Sequence, residues 1–167
     1  MLEIVRSASK NSLAGERSRQ MDESEINKRL KNVPNYIGTY AVDELSEIKV
    51  SFFPCFLIIN LDSRIGGGTH WVAVGIYANE LYVCDSLGGL IPDRIKPRAL
   101  INFLHIFSLT RNLFITKQLQ ESFSGTCALY CITFVQQMSK FNCFGEFLRL
   151  FTNNLHRNDL LIKFINK

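Results

Sequence analysis

The sequence predicts an α+β fold in which a central mixed, partly antiparallel sheet packs on a buried helix. Three observations predict it. Residues 70–85, "HWVAVGIYANELYVCD", read as two strands joined by Ala78-Asn79. Residues 127–140 have helical length and are apolar almost all round through Val135, the pattern of a helix enclosed by other elements. "PCFLIINL" is a continuous apolar run of strand length. With 167 residues, 47% of them hydrophobic, the chain can bury a sizeable core.

Taken in order, residues 1–20 are rich in Ser and Arg with little apolar periodicity, and predict a mobile arm ahead of a single domain over 21–167. "DESEINKRLKNV" predicts a helix, with Asp22 and Glu25 spaced as a capping box and Pro34 closing it. A strand over 55–61 is followed by a loop from Asp62 to Gly68. In the hairpin, a two-residue connection pairs Tyr77 with Glu80, which sets Asp85 opposite Val72 and puts His70 on the same face. The rest of that face is Val72, Val74, Ile76, Leu81 and Val83. The other face (Trp71, Ala73, Gly75, Tyr77, Tyr82, Cys84) is also mostly apolar, so the hairpin should be covered on both sides. A helix follows Pro97, "NLFIT" is a short strand, and 117–126 is a polar loop. The buried helix starts at Cys127, with Thr126 or Ser124 as its cap and Gly125 freeing the backbone before it. "GEFLRLF" and "NDLLIKFI" predict two further helices.

Composition narrows the function classes. The net charge of +4 permits weak, non-specific attraction to DNA, but no Lys/Arg run is interleaved with aromatic residues. Five cysteines in irregular spacing, with no secretory signal, argue against a disulfide framework and for a reducing, intracellular compartment. Cys127 and Cys131 would need two further ligands to hold zinc, so no metal is expected. No apolar run reaches the length of a membrane helix.

Chemistry gathers at three places. The hairpin sets His70 beside Asp85 at one end of an apolar stripe. Cys127 sits at a helix mouth, where unpaired backbone N–H groups favour thiolate. Gln120, seven residues earlier, can offer a side-chain amide. A thiol nucleophile needs a base, the base needs a group to fix its ring, and acyl transfer needs donors for the developing oxyanion. Each residue alone has a plainer reading: a core histidine, a turn aspartate, a solvated glutamine. His105 and His156 fall in helical patterns, and Cys131 reads as core.

Together, "GGTHW" (67–71), "CDSLG" (84–88), "QESFSGTC" and "CALYC" resemble the adenovirus-type cysteine endopeptidases, which share a clan with SUMO-type and related ubiquitin-like proteases. "YIGTY" (36–40) and the strand at 55–61 are similar to that enzyme's amino-terminal region, and the resemblance spans roughly residues 22–150. It implies an adenain-like fold whose buried helix carries the nucleophile. Cys127 would be that nucleophile and His70 its general base. Asp85, where the family accepts Asp or Glu, would orient the ring, and Gln120 would line the oxyanion hole. Trp71 would wall the site, and Gly67 and Gly68 would let substrate backbone approach.

The implied activity is cleavage of polypeptide precursors at glycine-containing sites during maturation of a virus or virus-like element, in the virion or host nucleus. No cofactor is required for the chemistry. An activating peptide or DNA is a possible partner, although "SLTRNLFITKQL" lacks the cysteine that tethers the adenoviral peptide. The enzyme is expected to be a monomer. Ala128 stands where the family usually has glycine, and the shorter stretch after Cys127 implies a reduced carboxyl-terminal part. Leu13-Ala14-Gly15 matches part of the family's cleavage motif. A protease for ubiquitin-like modifiers is one alternative, and a non-catalytic binding module that keeps the fold is another.

Overall fold

The structure is a computed structural model and describes residues 21–66, 68–88 and 97–167. The arm at 1–20, its Leu13-Ala14-Gly15 motif and Gly67 lie outside the described residues.

Five strands form one mixed sheet in sequence order: β1 (Tyr36–Ala41), β2 (Cys55–Asn60), β3 (Trp71–Ile76), β4 (Glu80–Cys84) and β5 (Asn112–Ile115). The two outer pairings, β1 with β2 and β4 with β5, are parallel, and the two inner ones are antiparallel. Among the described residues five α-helices accompany the sheet: α1 (Glu23–Leu30), α2 (Arg98–Ser108), α3 (Cys127–Phe141), α4 (Phe144–Arg149) and α5 (Leu155–Ile165).

The hairpin has the register that its two-residue connection requires, with Ala73 opposite Cys84 and Val74 opposite Val83. Tyr77 N–H donates to the Glu80 carbonyl at 2.9 Å and closes it. Slipping the pairing by one residue would turn every apolar side chain to the wrong face, so burial on both faces locks the register. On one face Phe56, Ile58, Trp71, Ala73 and Cys84 pack with α1, α3 and residues of α4 and α5. On the other, Leu57, Ile59, Val72, Val74, Ile76, Leu81 and Val83 pack with Leu100, Phe103 and Leu104 of α2 and with Val42 and Leu45. α3 is enclosed by the sheet, α1, α4 and α5, which is why its sequence is apolar almost all round.

Two local expectations are corrected, and two elements carry no local signal. Asp22 does cap α1, accepting from Glu25 N–H at 2.9 Å, but the Glu25 carboxylate pairs forward with Arg29 at 2.8 Å instead of closing a capping box. Neither Thr126 nor Ser124 caps α3 through its side chain, because both hydroxyls are engaged elsewhere. β1 and the 3-10 turn Val42–Glu47 were not read as elements. β1 is an edge strand, half-buried along most of its length, with a register irregularity at Gly38, so no apolar run betrays it.

Phe134 sits in the middle of the α3 layer: fully buried, edge-on to Phe147 and close to Gly75. Phe134→Ala should lower unfolding free energy in urea by about 3–5 kcal/mol, and a loss below about 1 kcal/mol would contradict this packing.

Candidate active site

Asp85 lies one residue beyond the hairpin ladder and His70 one residue before β3, at the same end of the sheet. His70 Nε2 and Asp85 Oδ1 are 2.7 Å apart and buried. Because the carboxylate can only accept, it selects the tautomer with the proton on Nε2 and leaves Nδ1 for another partner. Cys127, at the start of α3, lies close enough to the imidazole to favour its protonated form. Strand parity puts His70 with Val72 on the α2 side, whereas Cys127 belongs to the layer of Trp71 and Ala73. A side chain inside the sheet could not join those layers. One at the strand's end reaches over the rim, and His70 does so.

Burial disfavours the imidazolium, but the hydrogen bond to Asp85 and the nearby Cys127 outweigh that cost and raise the His70 pKa from 6.5 to about 9. Elsewhere burial governs: the Cys84 and Cys131 thiols are pushed well up, and Cys55 is raised to about 11 despite the opposing charge of Arg111. Those three are core thiols.

The turn after β4 holds Asp85 in place and carries Gln120. Thr116, just past β5, accepts from Asp85 N–H at 3.0 Å and donates to the Asp85 carbonyl at 2.8 Å. Leu87 N–H donates to Asp85 Oδ1 at 3.2 Å, so the aspartate shapes the turn as well as holding the ring. Ser86 accepts on its carbonyl from the N–H groups of Leu119 and Gln120, at 2.8 and 3.0 Å. Its hydroxyl donates to Gln120 Oε1 at 2.7 Å. With the amide oxygen engaged, the Gln120 NH2 is the end left to act as a donor. Gly88, at φ +64°, lets the turn approach the loop: a Cβ there would stand 2.5 Å from Gln118 N.

Cys127 is the first residue of α3, so its N–H is one of those with no acceptor inside the helix. Gly125, at φ +65°, makes the tight approach that the sequence predicts. The loop from Gln120 to Thr126 is tied to α5. Glu121 N–H donates to Asp159 Oδ2 at 3.0 Å, while Thr126 Oγ1 and Tyr130 Oη donate to Asp159 Oδ1 at 2.7 and 3.1 Å. Asn158 Nδ2 donates to the carbonyls of Leu119 and Thr152, both at 3.0 Å.

The structure therefore brings together His70, Asp85, Gln120 and Cys127. Trp71 is buried in the α3 layer, and its indole N–H has no partner among the described residues. Gly68 has a conformational reason of its own, at φ +74° with a Cβ position 3.0 Å from Asn60 Nδ2. His105 and His156 are exposed on α2 and α5. Ser86, Thr116, Asn158 and Asp159 were not singled out as site residues. For the last two a signal existed: Leu155, Asn158, Asp159 and Ile162 share a helical stripe, and two polar residues interrupt it. Among the described residues no group of His, Cys, Asp or Glu is placed to hold a metal ion, and no helix is long and apolar enough to cross a membrane.

No family model and no curated protein matches the sequence. Solved structures do show likeness. ChlaDub1 from Chlamydia trachomatis is 16% identical with a TM-score of 0.44, the match covering 68% of this chain and 57% of that one. This chain thus spans little more than half of that protein's length. The SUMO protease Ulp1, with its catalytic cysteine oxidised to a sulfenic acid, is 13% identical with a TM-score of 0.44, covering 91% of this chain and 81% of that one. The central domain of the Lpg1148 protein from Legionella pneumophila is 13% identical with a TM-score of 0.47, covering 88% and 94%. The chemistry of the site is read from its own geometry.

Two measurements probe this geometry. Gly88→Ala forces a left-handed alanine into the Gln118 backbone and should cost about 1–3 kcal/mol in a denaturant melt; an unchanged midpoint would contradict the close approach. Because His70 binds its proton more tightly folded than unfolded, its stabilisation is complete below 6.5 and lost as pH rises through about 9. The melting temperature of the wild type should fall across that window more steeply than that of His70→Gln, and parallel curves would refute the coupling.

Proposed function

We propose that the protein is a cysteine endopeptidase, with Cys127 as nucleophile, His70 as acid and base, Asp85 as the group orienting His70, and Gln120 as an oxyanion donor. One observation carries this reading: a buried Asp85–His70 pair beside the Cys127 thiol at a helix mouth, with the Gln120 amide held to the neighbouring Ser86. At neutral pH His70 holds a proton, since its pKa is raised to about 9; in the proposed mechanism the Cys127 sulfur, its proton passed to His70, is the attacking atom.

The sulfur attacks the peptide carbonyl carbon, and the carbonyl electrons move onto oxygen. That oxyanion accepts from Gln120 Nε2 and from the Cys127 backbone N–H. His70 delivers its proton to the departing nitrogen as the C–N bond breaks, which leaves a thioester. Water then adds to the thioester carbon and gives a proton to His70. The tetrahedral adduct collapses, releasing the acid and the Cys127 thiolate.

The substrate class we propose is a polypeptide precursor cleaved at glycine-containing sites, as the resemblance implies. Turnover of folded ubiquitin-like conjugates, but not of glycine-motif peptides, would move the assignment to modifier processing. The deciding experiment incubates wild type and Cys127→Ala with both substrate sets and identifies new termini by mass spectrometry. Cleavage should require Cys127, fall about 10²–10⁴-fold in His70→Ala, and fall about 10²–10³-fold in Gln120→Ala. Activity should also decline as pH rises through about 9, where the imidazolium is lost. Iodoacetamide modifying Cys127 no faster than Cys143 at mildly acidic pH would instead favour the binding-module reading.

A further inference from the structure

We infer that Asp159 is a positioning residue that fixes the spacing between the Gln120 amide and the mouth of α3. The inference rests on the peptidase reading above. Gln120 and Cys127 stand at opposite ends of one loop, and both must face the same substrate oxygen. A loop this short does not hold its ends to a fraction of an ångström unaided, and such precision is what oxyanion stabilisation requires.

Asp159 touches the loop at both ends. Oδ2 accepts from Glu121 N–H, the residue after Gln120, and Oδ1 accepts from Thr126 Oγ1, the residue before Cys127. Tyr130, one turn into α3, donates to the same Oδ1 and so ties the helix to the loop. Its single hydroxyl proton is shared with the Leu119 carbonyl at 3.0 Å, on the other flank of Gln120.

The residue type follows from this arrangement. Three donors converge on one side chain that is 3% exposed. Only a group that accepts through both oxygens serves them all; asparagine would turn an NH2 donor toward one of them. A buried carboxylate carries a desolvation cost, which plain docking of α5 would not require. Docking already has its own anchors, Asn158 on Leu119 and Thr152 and Ile162 in the core. Asp159 is placed for the loop.

The test measures peptide cleavage by Asp159→Asn in two backgrounds, wild type and Gln120→Ala. In the wild type, Asp159→Asn should lower kcat about 10²-fold with KM within about twofold, the signature of a donor lost from the transition state. In Gln120→Ala, where no amide remains to be positioned, the same change should cost less than about threefold. Alkylation of Cys127 by iodoacetamide needs no oxyanion donor and should keep its rate in Asp159→Asn. Should Asp159→Asn not fold, Thr126→Val removes one of the three bonds and should give a smaller loss of the same kind, with Thr126→Ser restoring kcat.

Equal losses in both backgrounds, an unchanged kcat, or alkylation falling in step with cleavage would overturn the inference while leaving the peptidase reading intact. Absence of Cys127-dependent cleavage in the wild type would overturn that reading, and this inference with it.

Discussion

The candidate site depends on the end of β4, where the chain leaves the sheet at Asp85 and Ser86. These two buried residues serve different partners. Asp85 accepts from the His70 ring, while Ser86 holds Gln120 through one side-chain and one main-chain bond. Base and oxyanion donor are therefore referenced to adjacent residues in the turn that leaves β4, clamped by Thr116 just past β5. A site whose parts hang on one short segment keeps its geometry when surrounding loops move, which suits chemistry sensitive to small displacements.

The sheet supplies the rest by being covered on both faces. Its inner strands are apolar on both sides, so the hairpin has one register only, and that register decides what stands at its end. The site exploits the rim. His70 belongs by parity to one layer and Cys127 to the other, and only beyond the last ladder pair can a side chain span both. The same burial explains why the other buried thiols, Cys55, Cys84 and Cys131, are pushed toward the neutral form and stay out of the chemistry.

Much of this was legible in the sequence because it rests on local rules. The two-residue connection at Ala78-Asn79 fixes a ladder, and the ladder puts His70 beside Asp85. The all-round apolar run from Cys127 marks a buried helix, and Gly125 marks the turn into it. What stayed hidden depends on contacts between residues far apart in the chain. No local pattern tells that the Thr126 hydroxyl will turn from capping its own helix to an aspartate on α5, or that Ser86 will meet Gln120. β1 carries no strand signal of its own, because an edge strand needs only partial burial and has no continuous apolar run. The polar interruption at Asn158 and Asp159 was visible, but its meaning required knowing which loop α5 faces.

The account stands or falls on whether the imidazole is held between a carboxylate and a thiol. An NMR titration of the His70 ring reads this directly. We predict that the ring keeps its proton until about pH 9 in the wild type. Replacing Asp85 by Asn should move that midpoint down toward the ordinary value of 6.5. A wild-type midpoint already near 6.5, unmoved by the replacement, would contradict the account.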